Sequence, residues 1–168
     1  MKKFRTRRHV PHSAAEMFAL VRDVESYPKF VPLCEGLRVR RRSESAPGVE
    51  TLTAEMQVGF KAICENYTSK VVCDINRLDI HVTHIDGPFR VLDNRWRFID
   101  EAPGPDGRPR SIVDFAIEYE FKSFALGLLM GAFGESVGVA MDGFVEHRAH
   151  QQPKRKAFEL IFDGEIDD

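Results

Sequence analysis

The chain has few of the residues that cross-link a fold and no run that spans a bilayer. Its three cysteines, Cys34, Cys64 and Cys73, are odd in number, widely spaced and free of any C-x-x-C or zinc-type cadence. That argues against a disulfide framework and against a structural metal site. The amino terminus, MKKFRTRRHVPHSAAEMF, follows its basic residues with polar ones instead of an apolar run, so no secretory signal is expected. The apolar stretch Phe124 to Gly134 reaches only 11 residues before Glu135, well short of the roughly 20 that a spanning helix needs. G-x-S-x-G, H-E-x-x-H, P-loop and G-x-G-x-x-G patterns are missing, so the usual signals for acyl transfer, zinc hydrolysis, nucleotide hydrolysis and dinucleotide binding are missing with them. A cytoplasmic chain, peripheral at most to the inner membrane, is the expectation.

What is present is the composition of one soluble globular domain: 168 residues, 43% hydrophobic and 30% charged. At this size roughly 70% of the unfolded chain's surface can be buried, so the core needs no staples. The formal net charge of −2 hides a polarity: residues 1–42 carry 11 Lys/Arg against 4 Asp/Glu, while residues 43–168 carry 13 against 22. Two basic clusters stand out, Lys2 to Arg8 and Arg38, Arg40, Arg41 and Arg42. If they meet in space they offer a surface for RNA or anionic lipid; otherwise they are solvated sheet edges, where Lys and Arg suppress aggregation.

Ser13 followed by Glu16 is a capping-box pattern, and Met17, Phe18 and Val21 recur at helical spacing, which predicts a helix over about 14–23. Asp23 is placed to cap a second short helical turn through Glu25–Phe30, limited by Pro28 and Pro32. From Leu37 to Phe121 the apolar period changes to two, which predicts strands with one buried face. Met56 and Val58 alternate with Glu55 and Gln57, and Gly59 turns the chain into Ile63, Glu65, Tyr67, Ser69, Val71 and Cys73. Leu78, Ile80 and Val82 follow, then Leu92, Asn94, Trp96 and Phe98. After the loop Glu101–Pro109 come Phe115, Ile117, Tyr119 and Phe121. The stretch from about Ser123 to His147 has the pattern of a long helix with a wide apolar face that includes Leu129, Phe133 and Val137. Its glycines, Gly127, Gly131, Gly134, Gly138 and Gly143, each cost about 1 kcal/mol relative to alanine in a helix. Either close packing on the sheet or space for a ligand and local opening favours them.

This element order predicts an α+β domain over 1–148 with a polar, acidic tail over 149–168 that holds a short helix at Ala157–Phe162. The helix-grip architecture buries both apolar faces economically: a curved antiparallel sheet of six to seven strands wraps around the long C-terminal helix, with two short helices after the first strand. A cavity between sheet and helix is the default ligand site. Glu65 is its informative oddity. Strand parity turns this carboxylate toward the core, where it either reaches solvent or a cation near a strand end, or acts as a polar anchor in an apolar pocket. Asn94 and Ser69 are further anchors, and Tyr67, Trp96, Phe115 and Tyr119 supply flat walls. His81 and His84, three apart on a strand, point to opposite faces and cannot share a metal. His9-x-x-His12 and His147-x-x-His150 lack further ligands at metal spacing.

The segments HSAAEMFALVRDVESYPKFVPLCEG, VGFKAICENYTSKV, DGPFRVLDNRWRF and VDFAIEYEFKS, in this order over about residues 3–148, resemble the coenzyme-Q-binding START-like family. That family includes mitochondrial coenzyme Q-binding proteins and bacterial RatA ribosome-association toxins, within the polyketide cyclase/dehydrase and lipid-transport superfamily. Leu33 is a departure, since many relatives carry tryptophan there. The resemblance implies a helix-grip fold, a hydrophobic tunnel and non-catalytic binding of ubiquinone or a similar isoprenoid lipid in support of respiration, with no other cofactor. Lined by Met56, Val58, Ile63, Glu65, Tyr67, Asn94, Trp96, Phe115, Tyr119, Leu129, Phe133 and Val137, the tunnel would receive its quinone at the respiratory membrane surface. The RatA-type alternative binds the large ribosomal subunit through Arg38, Arg40, Arg41 and Arg42. In a third reading the chain is a cyclase or dehydratase with Glu65 as acid or base. DNA is not an expected partner.

Overall fold

A computed structural model describes residues 1–31, 34–60 and 63–123, without the side chains of Phe60 and Ile63. The expected long helix from about Ser123 to His147, with Leu129, Phe133 and Val137, lies outside the described residues beyond Ser123, as do Leu33 and the 149–168 tail.

The chain runs β1 (Lys2–Val10), α1 (Ala14–Arg22), a 3-10 helix (Val24–Lys29), β2 (Cys34–Ala46), β3 (Val49–Phe60), β4 (Ile63–Asp74), β5 (Asp79–Asp86), β6 (Phe89–Glu101) and β7 (Arg110–Phe121). The seven strands form one antiparallel sheet in the order β1-β7-β6-β5-β4-β3-β2. Helix α1 begins as its sequence pattern predicts. The Ser13 hydroxyl accepts the Glu16 amide at 3.1 Å, which satisfies one of the orphan donors of the first turn. Asp100 on β6 accepts the Ala14 amide at 2.9 Å and ties the same turn to the sheet. Ala14, Met17, Phe18 and Val21 are buried against the inner face of the sheet, and Phe18 meets Phe98 edge-on at 6.0 Å.

Alternation by two assigns most strand residues to their observed faces, but bulges break it in three places that matter. Arg40 is an extra residue in β2, between the pairs Val39–Ala54 and Arg41–Thr53. Beyond it the parity reverses, so Arg42 sits opposite the fully buried Leu52 on the inner face while Arg38 and Arg41 face outward. Arg90 is an extra residue in β6, so Phe89 joins Leu92 on the inner face. A third irregularity lies between Thr68 and Ser69, where β4 meets β5. Among the described residues no helix is long and apolar enough to cross a membrane.

Candidate ligand site on the inner face of the sheet

The inner face carries a chain of aromatic contacts. Tyr67 meets Phe89 edge-on at 5.4 Å, Phe89 stacks on Phe121 at 4.9 Å, and Phe89 and Phe121 both contact Tyr119. Trp96 meets Phe115 edge-on at 4.6 Å and lies parallel to Phe98 at 6.2 Å. All four expected aromatic walls, Tyr67, Trp96, Phe115 and Tyr119, therefore share this face. Met56 and Val58 line it on β3, opposite Tyr67 and Glu65. Ile63 starts β4 opposite Phe60, and its side chain lies outside the description.

Gly87 sets the position of Tyr67. Its φ is +129°, and a Cβ there would stand 2.6 Å from the Tyr67 Cβ and 2.9 Å from its Cα. Only glycine supplies both that backbone conformation and that close approach, so the Gly87-Pro88-Phe89 turn lays β6 against the wall residue on β4.

The polar groups fall into two sets. Asn94 is engaged by the protein: its Oδ1 accepts the Trp96 indole N–H at 2.7 Å, and its amide donates to the Ala116 carbonyl at 3.0 Å. It orients the indole, and half its hydrogen-bonding capacity is used in doing so. Tyr67 donates to the Met56 sulfur at 3.0 Å, a weak acceptor that a ligand oxygen can displace. Glu65, Ser69 and His84 have no hydrogen-bond or ion-pair partner among the described residues, and Ser69 and His84 are register partners across β4 and β5. His81 lies on the opposite face, 3.0 Å from Asp93, as its spacing from His84 predicts.

Burial raises the Tyr67 phenol well above its ordinary pKa, with the Cys34 thiol adding to the effect, and burial also raises Tyr119. Both remain neutral hydroxyls. Burial pushes the Cys34 thiol up to about 11 and the Cys73 thiol up to about 12, so neither is a thiolate nucleophile near neutrality. The inner face thus offers flat apolar surface and a few hydrogen-bonding groups, with the Glu65 carboxylate two residues from Tyr67 on the same strand face.

The four arginines expected to bind a partner do not act alike. Glu55 on β3 pairs with both Arg38, at 3.9 Å, and Arg40. Arg42 is drawn into a network on the other face, 2.7 Å from Glu25 and 3.1 Å from Glu50, with Arg22 of α1 3.2 Å from Glu50. Arg41 has no ion pair among the described residues, and Thr53 separates it from Lys70 in one cross-strand row. The two basic clusters do not meet through strand pairing either, since β1 and β2 are opposite edges of the sheet. On β1, Lys3 pairs with Glu118, Arg5 with Asp114 and His9 with Glu101.

Sequence alternation missed Phe89 as part of this face; Phe121 and His84 follow the alternation but were not among the expected lining residues. The signal for Phe89 was the Gly87-Pro88 pair before it, since counting by two from Leu92 selects Arg90.

A seven-stranded antiparallel sheet with a polar-studded aromatic inner face and an early helix across one end is the frame of a START-like, cyclase-like binding domain. The family model described as polyketide cyclase / dehydrase and lipid transport matches residues 10–142, and the chain belongs to that family. It is 34% identical over 146 residues to the mitochondrial coenzyme Q-binding protein coq10 of Schizosaccharomyces pombe, covering 85% of this chain and 84% of that one. It is also 34% identical over 122 residues to the ribosome association toxin RatA of Escherichia coli K12, covering 73% and 70%. Among solved structures, the 18 kDa protein CC1736 of Caulobacter crescentus superposes with a TM-score of 0.69 at 35% identity, over 90% of this chain and 97% of that one. The Zhui aromatase/cyclase of Streptomyces, at 13% identity, shares the fold alone, with a TM-score of 0.63. The coq10 and RatA relatives, each 34% identical, are called a binding protein and a toxin, not enzymes.

Proposed function

We propose that this chain binds an isoprenoid quinone of the ubiquinone type against the inner face of its sheet and carries it without transforming it. The observation that carries this reading is the aromatic run from Tyr67 through Phe89 to Phe121 and Tyr119, beside Trp96 and Phe115. Flat rings suit a quinone head, and each buried methylene of a prenyl tail contributes about 0.8 kcal/mol. The coenzyme Q-binding relative supports the choice of ligand. The test is native mass spectrometry, with solvent extraction and quinone absorbance, on protein purified gently from a ubiquinone-producing host. One quinone per chain is expected, and Tyr67→Glu, checked for its fold by circular dichroism, should abolish retention. Retention unchanged in that variant would reject this pocket.

A second reading, ribosome association, draws on the RatA relatives and on the outward-facing Arg38, Arg40 and Arg41 with Lys70 in the row beside them. Binding through phosphate contacts weakens steeply with salt. Arg41→Ala with Lys70→Ala should then abolish cosedimentation with the large ribosomal subunit and leave quinone retention intact.

A further inference from the structure

Once the protein's own hydrogen bonds are assigned, few inner-face polar groups remain for a ligand, and they are not equivalent. Asn94 accepts from the Trp96 indole and donates to the Ala116 carbonyl, which commits half of its hydrogen-bonding capacity. What remains open along β4 is Glu65, then Tyr67, then Ser69 with His84 across from it. Glu65 and Ser69 are four residues apart on one face of an extended strand, so their Cα atoms are about 13 Å apart. Tyr67, held in place by the Gly87 turn, stands between them. A ring lying on this stripe therefore meets a carboxylate at one end and hydroxyl and imidazole groups at the other.

The two redox forms of a quinone ring read such a stripe differently. The oxidised ring presents only acceptor oxygens. Serine, tyrosine and histidine can donate to them, but an ionised carboxylate is acceptor-only and opposes them lone pair to lone pair. The reduced ring carries hydroxyls, and a hydroxyl donating to a carboxylate makes a charge-assisted hydrogen bond, about twice as strong as a neutral one. It also gives the half-buried Glu65 the partner that the described residues do not supply.

We infer that Glu65 selects by hydrogen-bond donors, so that the ligand held here is the hydroxylated ring, the hydroquinone form or a phenolic precursor, in preference to the oxidised quinone. This rests on the quinone-binding reading and adds the chemical form to it. In this role Glu65 determines specificity and takes no part in a reaction. Ser69, Tyr67 and His84 serve both forms alike, because each can donate as well as accept.

The test is anaerobic titration of the purified protein with decylubiquinone and, separately, with its hydroquinone, followed through the fluorescence of Trp96, the chain's single tryptophan. The expected result is binding of the hydroquinone at least tenfold tighter, about 1.4 kcal/mol. Glu65→Gln, whose amide can both donate and accept, should bind the quinone more tightly and the hydroquinone more weakly than the unaltered protein, bringing the ratio of the two forms close to one. Equal or tighter binding of the oxidised form by the unaltered protein overturns the inference, and so does an unchanged ratio in Glu65→Gln. If neither form binds, the quinone reading itself fails and takes this inference with it. Glu65→Asp is the companion variant: it retains the acceptor on a shorter arm and should keep part of the preference.

Discussion

The two ends of the inner face are built from the same strands and do different work. Along β4, Cys73 is 1% exposed, Val71 4% and Ser69 5%, and then Tyr67 and Glu65 are only half-buried. On β5 the sequence is the same in kind: Ile80 is buried, while Val82 and His84 are partly open. The closed end is the one beneath α1, where Met17, Leu52 and Val113 pack with no exposure. Helix α1 therefore seals one end with close apolar packing that includes Phe98, while Glu65, Ser69 and His84, which lack partners among the described residues, lie toward the other end with Tyr67, Phe89 and Phe121. Stability and recognition are separated along the strands, by several residues rather than by domains. A binding domain can then tolerate open polar groups at one end because the other end supplies its stability.

If that separation is real, a lesion at the closed end should harm folding and spare binding. Leu52→Ala removes a fully buried side chain of the apolar core, and such changes cost about 2–5 kcal/mol through lost transfer energy and the cavity left behind. Urea denaturation should show that loss, while the folded fraction keeps its affinity for decylubiquinone. A fall in affinity as deep as that of Tyr67→Glu would mean that the two ends are one unit.

Gly87→Ala should instead strike both properties. Alanine at φ +129° is strained, and its Cβ would press into the Tyr67 backbone and side chain. A destabilisation of about 1–3 kcal/mol is expected, together with weaker ligand binding, because β4 must shift at its wall residue. Thermal denaturation and the Trp96 titration on the same sample check both parts. Loss of stability with affinity intact would show that the turn does not position the wall.

How much of this was legible beforehand depends on whether the strands are regular. The capping residue Ser13, the buried triplet Met17, Phe18 and Val21, and the inward positions of Tyr67, Asn94, Trp96, Phe115 and Tyr119 all follow from spacings of 3.6 and two, and the structure places them so. The misreadings lie at the bulges. One extra residue at Arg40 separates Arg42 from its neighbours and turns it inward, and one at Arg90 brings Phe89 into the aromatic wall. A bulge is a local twist that leaves little mark on hydrophobic alternation, so a count by two continues through it with the wrong parity. Asn94 shows a different limit: its face was readable, but its bonds to Trp96 and Ala116 depend on side-chain geometry.

The smallest effect concerns the network that fastens α1 and the 3-10 helix to β2 and β3. Burial alone would raise the Glu50 carboxyl, but Arg22 and Arg42 outweigh it and hold its pKa below the ordinary carboxylate value. A depressed pKa contributes stability that is present above the ordinary value and is lost as pH falls through the lower, folded one. Arg42→Ala leaves Arg22 in place, so Glu50 should be less depressed and less stability should disappear in acid. At neutral pH and low salt the cost should be about 0.2–1 kcal/mol, because the Arg42 pairs are partly solvated. Urea midpoints of the two proteins should converge as pH drops below the carboxylate range, and again as salt rises and screens the pairs. A gap that persists in strong salt and in acid would assign the role of Arg42 to its aliphatic stem, packed at the closed end of the inner face, and the network would then belong to the apolar seal rather than act as an ionic clasp on it.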